Sequence, residues 1–185
     1  MSQAGVFTTD SGVVYRDRKR HAWIISLLVP AMIFVGPALY FAFDHNAAWL
    51  WAPLAFFYGV IPSLDLVLGE DKSNPPEEVV PQLEADPYYR YITYALVPII
   101  WGAVIYAAWF VGTQSLPVHG IIAMILLTGG TLGFGMNLGH ELGHKKNPAE
   151  RWLAKFVLAI GGYGHFFIEH NKGHHRDVAT PEDPA

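Results

Sequence analysis

The sequence predicts an all-α, polytopic membrane protein with four transmembrane helices, and three observations carry that prediction. Only 15% of the 185 residues are charged and 52% are hydrophobic, whereas a soluble domain carries about 25% charged residues. The apolar residues gather into tracts free of Asp, Glu, Lys and Arg that are long enough to cross a bilayer, which takes about 20 residues per span. All twelve cations fall outside those tracts, on a pattern that a single membrane topology explains.

The first tract runs from Ala22 to Phe43 and the second from Asn46 to Leu64. Asp44-His45 between them has room only for a tight turn, so the two form a helical hairpin. From Tyr91 to Gly139 the chain again has no Asp, Glu, Lys or Arg, and the polar stretch Gly112-Thr113-Gln114-Ser115-Leu116-Pro117 divides it into spans near 91–111 and 119–139. Residues 1–15 are polar or mixed, and the first tract is too long for a leader and lacks a small-residue cleavage site, so it is expected to stay as an anchor.

Arg16, Arg18, Lys19 and Arg20 precede span one; Lys72 and Arg90 lie between spans two and three; Lys145, Lys146, Arg151, Lys155, Lys172 and Arg176 follow span four. The two short turns contain none. Four spans place all these cations on one side, which the positive-inside rule reads as the cytoplasm. Trp23, Trp49, Trp51 and Trp109 fall near span ends, where interfacial anchors sit, while Trp101 falls mid-span as a packing residue. The domain reading is a cytoplasmic N-terminal segment 1–21, a four-helix membrane region 22–139 with a cytoplasmic linker 69–90, and a cytoplasmic-side histidine-rich region 140–185.

The Pro-rich acidic linker reads as a solvated loop with capping carboxylates, a partner-docking surface being the sharper alternative. Residues 156–168 lack charges but are too few to cross the bilayer. They are expected to form a buried or interfacial helix, loosened by Gly161, Gly162 and Gly164. The absence of cysteine excludes disulfides, Cys-zinc sites and iron–sulfur ligation. A net charge of −4 without a basic stripe gives no sign of nucleic-acid binding.

Chemistry concentrates in two clusters, His140-Glu141-Leu142-Gly143-His144-Lys145 and Glu169-His170-Asn171-Lys172-Gly173-His174-His175. On a helix His140 and His144 share one face, one turn apart, just where span four reaches the membrane rim. His170 and His174 repeat that spacing, and His175 is turned about a quarter-circle away, an offset that suits one helix reaching two ions. Five imidazoles so spaced point to a metal centre. His21, His45 and His119 stand singly at span boundaries and read as interfacial; His165 reads as packing or supporting a ligand. Glu141, Glu169 and Asp177 are candidates to orient imidazoles by accepting their second N–H, Glu141 being equally explained as an ordinary helix residue. Asp65, a carboxylate at the membrane edge, is a functional candidate by position.

His140-Glu141-Leu142-Gly143-His144 also matches the H-E-x-x-H helix of zinc peptidases, whose Glu is the general base, so an intramembrane zinc metallopeptidase is one reading. The second cluster offers more histidines than one zinc uses, and five in total imply two ions. A membrane protein that only holds metal is a third reading.

With both clusters in view, the chain resembles the integral-membrane alkane monooxygenases, the alkane 1-hydroxylases. They belong to the larger histidine-box family that also holds membrane fatty-acid desaturases and hydroxylases. The matching residues are the two clusters, the linker Asn74-Pro-Pro-Glu-Glu-Val-Val-Pro81 and the run Gly162-Tyr163-Gly164-His165-Phe166-Phe167, and the likeness extends over essentially the whole chain.

The resemblance implies a non-haem centre of two Fe ions held by His140, His144, His170, His174 and His175, with O2 as co-substrate. Electrons would come from rubredoxin, with rubredoxin reductase upstream, and the reaction would be terminal hydroxylation of medium-chain linear alkanes to primary alcohols. It further implies a bacterial inner-membrane location with the N-terminus and the metal site cytoplasmic. The family carries a third box, H-x-x-H-H, and another histidine within two further spans, six in all. Set against that resemblance, the chain is expected to be the N-terminal part of a longer enzyme, and the 185 residues alone are expected to be inactive. Phe56, Phe57 and Tyr58 in span two and Trp101 in span three are candidates for shaping an alkane channel, with ordinary packing as the plainer explanation.

Overall fold

The structure is a computed structural model that describes residues 4–183. A short antiparallel hairpin, β1 (Val6–Thr8) and β2 (Val14–Arg16), pairs Val6 with Arg16 and Thr8 with Val14. It is followed by α1 (Arg20–Ala42), α2 (Ala47–Leu68), α3 (Val80–Ala85), α4 (Pro87–Thr113), α5 (Val118–Gly143), α6 (Pro148–Ala159) and α7 (residues 166–177). Helices α1, α2, α4 and α5 are the four expected spans. Each has 22 to 27 residues, enough at about 1.5 Å per residue to cross a hydrocarbon core about 30 Å thick.

The first hairpin turns where expected, with Asp44 and His45 both left-handed at φ 53° and 58°. Prolines explain the irregular winding of the first two spans. Pro62 has no N–H and its ring clashes with the carbonyl one turn back, and the turn ahead of it, Phe56–Val60, is π-helical. The Ser63 hydroxyl donates to the Gly59 carbonyl at 2.7 Å, satisfying a group that would otherwise face lipid. The hairpin β1–β2 is the one departure from an all-α chain among the described residues; three-residue strands leave too little alternation to read in the sequence.

Two apolar clusters hold the bundle. The one at the hairpin-turn end joins Ile33, Tyr40, Leu50, Phe110, Met124 and their neighbours. The other, at the histidine end, joins Leu96, Val97 and Ile100 of α4, Leu138 and Leu142 of α5, Ala154, Val157 and Leu158 of α6, and Phe167 of α7. Small residues allow the close approaches that drive helix association in lipid: a Cβ on Gly36 would lie 3.3 Å from the Leu50 backbone, and one on Gly120 would lie 3.2 Å from Ala47 and Leu50.

The N-terminal hairpin, the linker and the region after α5 meet at one end of the bundle. Arg20 forks onto Asp86 at 2.5 and 3.2 Å and lies over the Tyr88 ring at 4.1 Å. Lys19 pairs with Asp71 and donates to the Ser73 carbonyl at 3.0 Å. Lys145 faces Glu84 at 3.7 Å. The linker is therefore folded against the hairpin rather than freely solvated: Ser11 donates to Glu78 at 2.5 Å and Gln82 to the Thr8 carbonyl at 3.0 Å. It also ends early. Asp86 caps α4 by accepting from the Tyr88 N–H at 2.9 Å, and the third span starts at Pro87, with Pro at a position where its missing N–H costs nothing.

Trp23, Trp49, Trp51 and Trp109 are exposed at span ends. Trp101 packs instead, stacked on Phe156 at 4.5 Å with its indole N–H on the Phe156 carbonyl.

Candidate metal centre

Helix α5 delivers His140 on its last turn and His144 at its C-cap, and α6 and α7 bring the second cluster back to them. Asn147 starts α6 by accepting from the Ala149 N–H at 2.9 Å, with Pro148 in the first turn. Helix α6 is amphipathic: Glu150, Ala154, Val157 and Leu158 are buried while Arg151, Trp152 and Phe156 face outward. The buried Glu150 carboxylate accepts from Arg90 at 3.0 Å and from the Tyr94 hydroxyl at 2.6 Å, which fastens the start of α6 to α4.

The segment 156–168 is not one helix. It ends at Ala159, and Gly162, at φ 73°, reverses the chain. The Gly162 and Tyr163 N–H groups bond the Ala159 and Leu158 carbonyls at 3.0 and 3.2 Å, the two bonds of a Schellman stop. Helix α7 then runs back against α5, where Gly143 gives it room: a Cβ there would lie 3.3 Å from the Phe167 ring.

From Glu169 to His174 the winding is π-helical, and its wider turn brings residue i+5 much nearer to i than an α-helix does. His170 therefore pairs with His175, not with His174 as α-helical spacing suggests. The Nε2 atoms form a chain: His140 to His144 at 3.1 Å, His144 to His170 at 3.3 Å, and His170 to His175 at 3.0 Å. One ligand nitrogen from each of the four lies within 4.8 Å of every other.

Four converging imidazole nitrogens fit a metal ion better than they fit one another. Each ring nitrogen offers either one proton or one in-plane lone pair, so four meeting nitrogens are poorly satisfied among themselves. Ligands about 2.0–2.1 Å from a shared ion stand roughly 3.0–3.4 Å apart, which is the spacing of the three successive contacts, while the set as a whole spreads to 4.8 Å. Partial burial, then the neighbouring His140 and His175, hold the His144 and His170 pKa values below the usual 6.5, favouring the neutral, ligating form.

The sign of that shift gives a prediction for the metal-free protein. The unfolded chain takes up protons on these two rings near pH 6.5 while the folded chain resists them, so stability falls as pH drops through 6.5 and onward to the lower folded values. The apo-protein Tm is expected to fall between about pH 7.5 and about pH 5.5; a flat or rising Tm over that window would contradict the assignment.

The fifth histidine lies apart from the four. His174 stacks near His170 with rings 5.4 Å apart, and its Nδ1 meets both carboxylate oxygens of Asp183 at 3.0 Å. Of the four candidate carboxylates only Glu141 reaches a clustered imidazole, at 3.3 Å from His140 Nδ1. Glu169 faces His165 at 3.8 Å, Asp177 is forked by Arg176 at 2.6 and 2.8 Å, and Asp65 is exposed on α2. His165 lies edge-on to Tyr163 at 4.6 Å. Phe166 lies flat on His170 at 4.9 Å and fixes that ring. Asp183 escaped sequence reasoning because nine residues and no helical period separate it from His174.

Two cavities run along one face of α5 toward this centre. One, of about 310 Å³, is walled by Val29, Phe57, Tyr58, Leu126, Gly130 and Phe134 among others. The second, of about 550 Å³, reaches from Phe134 to Glu141. Phe57 and Tyr58 thus border open space, while Phe56 and Trp101 line neither of these two cavities.

The chain as a whole is similar in sequence to known enzymes. Over 172 residues the chain is 55% identical to alkane 1-monooxygenase 1 of Alcanivorax borkumensis, covering 92% of this chain and 42% of that one. The alkane 1-monooxygenases of Pseudomonas putida and Ectopseudomonas oleovorans are 52% and 51% identical over 179 residues, covering 95% of this chain and 44% of each. The chain is a homologue of the alkane 1-monooxygenases. Residues 115–185, which carry the fourth span and both clusters, match the family model for fatty acid desaturases. This likeness to membrane histidine-box enzymes agrees with a helical, membrane-type fold bearing a histidine cluster, and the chain spans less than half the length of the relatives it matches.

Proposed function

We propose that the whole protein to which these residues belong is an oxygen-dependent alkane 1-monooxygenase. It would convert medium-chain linear alkanes to primary alcohols at a di-iron centre, with electrons from rubredoxin. The observation that carries this reading is the convergence of His140, His144, His170 and His175 at the membrane-rim end of α5, in a chain so similar to alkane 1-monooxygenases.

Two iron ions would supply the O2 activation and the removal of a terminal hydrogen, which no side chain here can supply. One oxygen atom would end on the terminal carbon, and the other would leave as water with two electrons from the reductant and two protons from solvent. The four clustered nitrogens would hold one ion. His174, on the same helix but turned away, is available with residues outside this chain for the other. Glu141 would orient His140 by accepting its Nδ1 proton, as outer-sphere carboxylates do, and Phe166 would keep the His170 ring from turning. The span walls exclude water from the alkane, which partitions into the bilayer and enters between helices. Positive-inside reasoning supports a cytoplasmic side for the N-terminus and the centre, and the likeness to alkane 1-monooxygenases supports a bacterial inner membrane, where a soluble electron carrier would reach them. Residues 1–21, 22–139 and 140–185 would then be the cytoplasmic lead, the membrane region and the histidine-bearing region.

A zinc peptidase fits less well. A catalytic zinc keeps a position open beside three protein ligands, and four imidazoles fill that shell. Glu141, which would be the peptidase base, faces the back of His140.

The test is elemental analysis of the full-length protein purified in detergent, followed by turnover of n-decane with reduced rubredoxin and O2. About two irons per chain and 1-decanol formation are expected. A single zinc with peptide hydrolysis would overturn the reading.

A further inference from the structure

The two cavities along α5 differ in chemistry, and Phe134 is the wall they share. The smaller one is lined by aliphatic and aromatic groups; its hydroxyls are those of Tyr58 and Thr131, and Thr131 is already committed to the Leu127 carbonyl at 3.0 Å. That is a site for a hydrocarbon. The larger one has an apolar floor of Trp23, Ile92, Leu96, Phe134 and Leu138, and a rim that includes Lys19, Ser73, Asn74, Asn137 and Glu141. Its volume of about 550 Å³ lies within the range of small-molecule sites.

Asn137 and Glu141 stand one turn apart on α5, so they share a face, and Glu141 lies 3.3 Å from a ring nitrogen of His140. Polar groups on such a rim would be hydrated when no ligand covers them. A pure hydrocarbon entering there would displace that water and return no hydrogen bond, a net loss. A molecule with an apolar tail and one hydroxyl would bury the tail on the floor and replace the water at the rim.

Tyr15, Asp17, Lys19, Ser73, Asn74 and Pro75 complete the lining of the cavity. They are tied down by Lys19 on Asp71 and on the Ser73 carbonyl, and by Tyr89 on Asp17. The site is thus built from the N-terminal segment, the linker, α4 and α5 together.

We propose that this larger cavity binds linear primary alcohols, receiving the product beside the metal centre while the smaller cavity beyond Phe134 takes the alkane. That the alcohol is a product rests on the function proposed above; that the site prefers an amphiphile to a hydrocarbon rests on its rim alone.

The test is photolabelling of the full-length protein in detergent with a ten-carbon primary alcohol carrying a diazirine at its far end, compared with a diazirine n-alkane of equal length. The alcohol probe is expected to label peptides spanning 89–96 and 134–141, to be displaced by 1-decanol and not by n-decane, and to do so equally after the metal is chelated. Ile92→Trp, which fills the floor, is expected to cut that labelling about tenfold, the effect of roughly 1.4 kcal/mol, while alkane labelling persists. Asn137→Leu keeps the volume and is expected to erase the preference for alcohol over alkane, so a misfolded filling variant does not decide the matter. Equal labelling of these peptides by both probes, displacement by n-decane as readily as by 1-decanol, or displacement only by phosphatidylethanolamine vesicles would each overturn the proposal. Alcohol labelling in a protein that forms no alcohol would overturn the function and leave the site. No labelling in a protein that does form alcohol would overturn the site and leave the function.

Discussion

His144→Ala in the full-length protein is expected to release the metal and abolish alkane hydroxylation while the spans stay inserted. His144 is the nitrogen through which the two clusters meet: its Nε2 lies 3.1 Å from His140 and 3.3 Å from His170, and the second of these contacts joins α5 to α7. Loss of an outer-sphere partner typically costs about 10–100-fold in metal affinity or activity, so removing an inner nitrogen should cost more than about 100-fold. The fold should tolerate the change, because His144 is exposed and stands just beyond the last residue of α5. Glu141→Gln is the matched milder variant, removing a carboxylate 3.3 Å behind His140, and should fall within the 10–100-fold range. Metal content by elemental analysis and alcohol formation by gas chromatography check both. An H144A protein that kept its metal and its turnover would remove His144 from the centre.

The spans and the His140–His144 pair could be read from sequence because each depends on neighbours close along the chain. Tracts without charge set the spans, and the i, i+4 spacing at the end of one of them set the first pair. The second cluster was legible as a set of ligands but not in its register. The π-helical turn from Glu169 to His174 is a winding choice that composition does not announce, and it exchanges His174 for His175 as the partner of His170. The fold-back between α6 and α7 was half legible: Gly162 stood out as a loosening residue, but its left-handed φ of 73° makes it a stop. Asp183 on His174, and the Arg90–Glu150–Tyr94 clamp, join residues far apart in sequence through side chains alone, and no periodicity records such pairs.

Gly139→Ala is expected to lower both Tm and metal content, although glycine-to-alanine changes inside helices ordinarily help. Ala is favoured over Gly in a helix interior by about 0.8–1.0 kcal/mol. At Gly139, however, the new Cβ would stand 2.6 Å from Leu158 Cγ and 2.8 Å from its Cδ2. Cγ is the branch point rather than the far end of the side chain, and Leu158 is buried, so relief requires α6 to move away from α5. Overpacking of this kind costs about 1–3 kcal/mol, which outweighs the helical gain over most of that range. Because α6 leads through the Gly162 reversal into α7, the shift would carry His170 and His175 away from His140 and His144. Gly133→Ala, in the same helix with nothing within 4 Å of its Cβ, should be neutral or stabilising, which isolates the steric term from the backbone term. Leu158→Ala should rescue Gly139→Ala, since the methyl then enters the space the isobutyl group leaves, and the pair should be strongly non-additive as touching residues are. Were Gly139→Ala as stable and as metal-rich as Gly133→Ala, Leu158 would be free to turn aside, and the tight seating of α6 on α5 would not be what brings the two histidine clusters together.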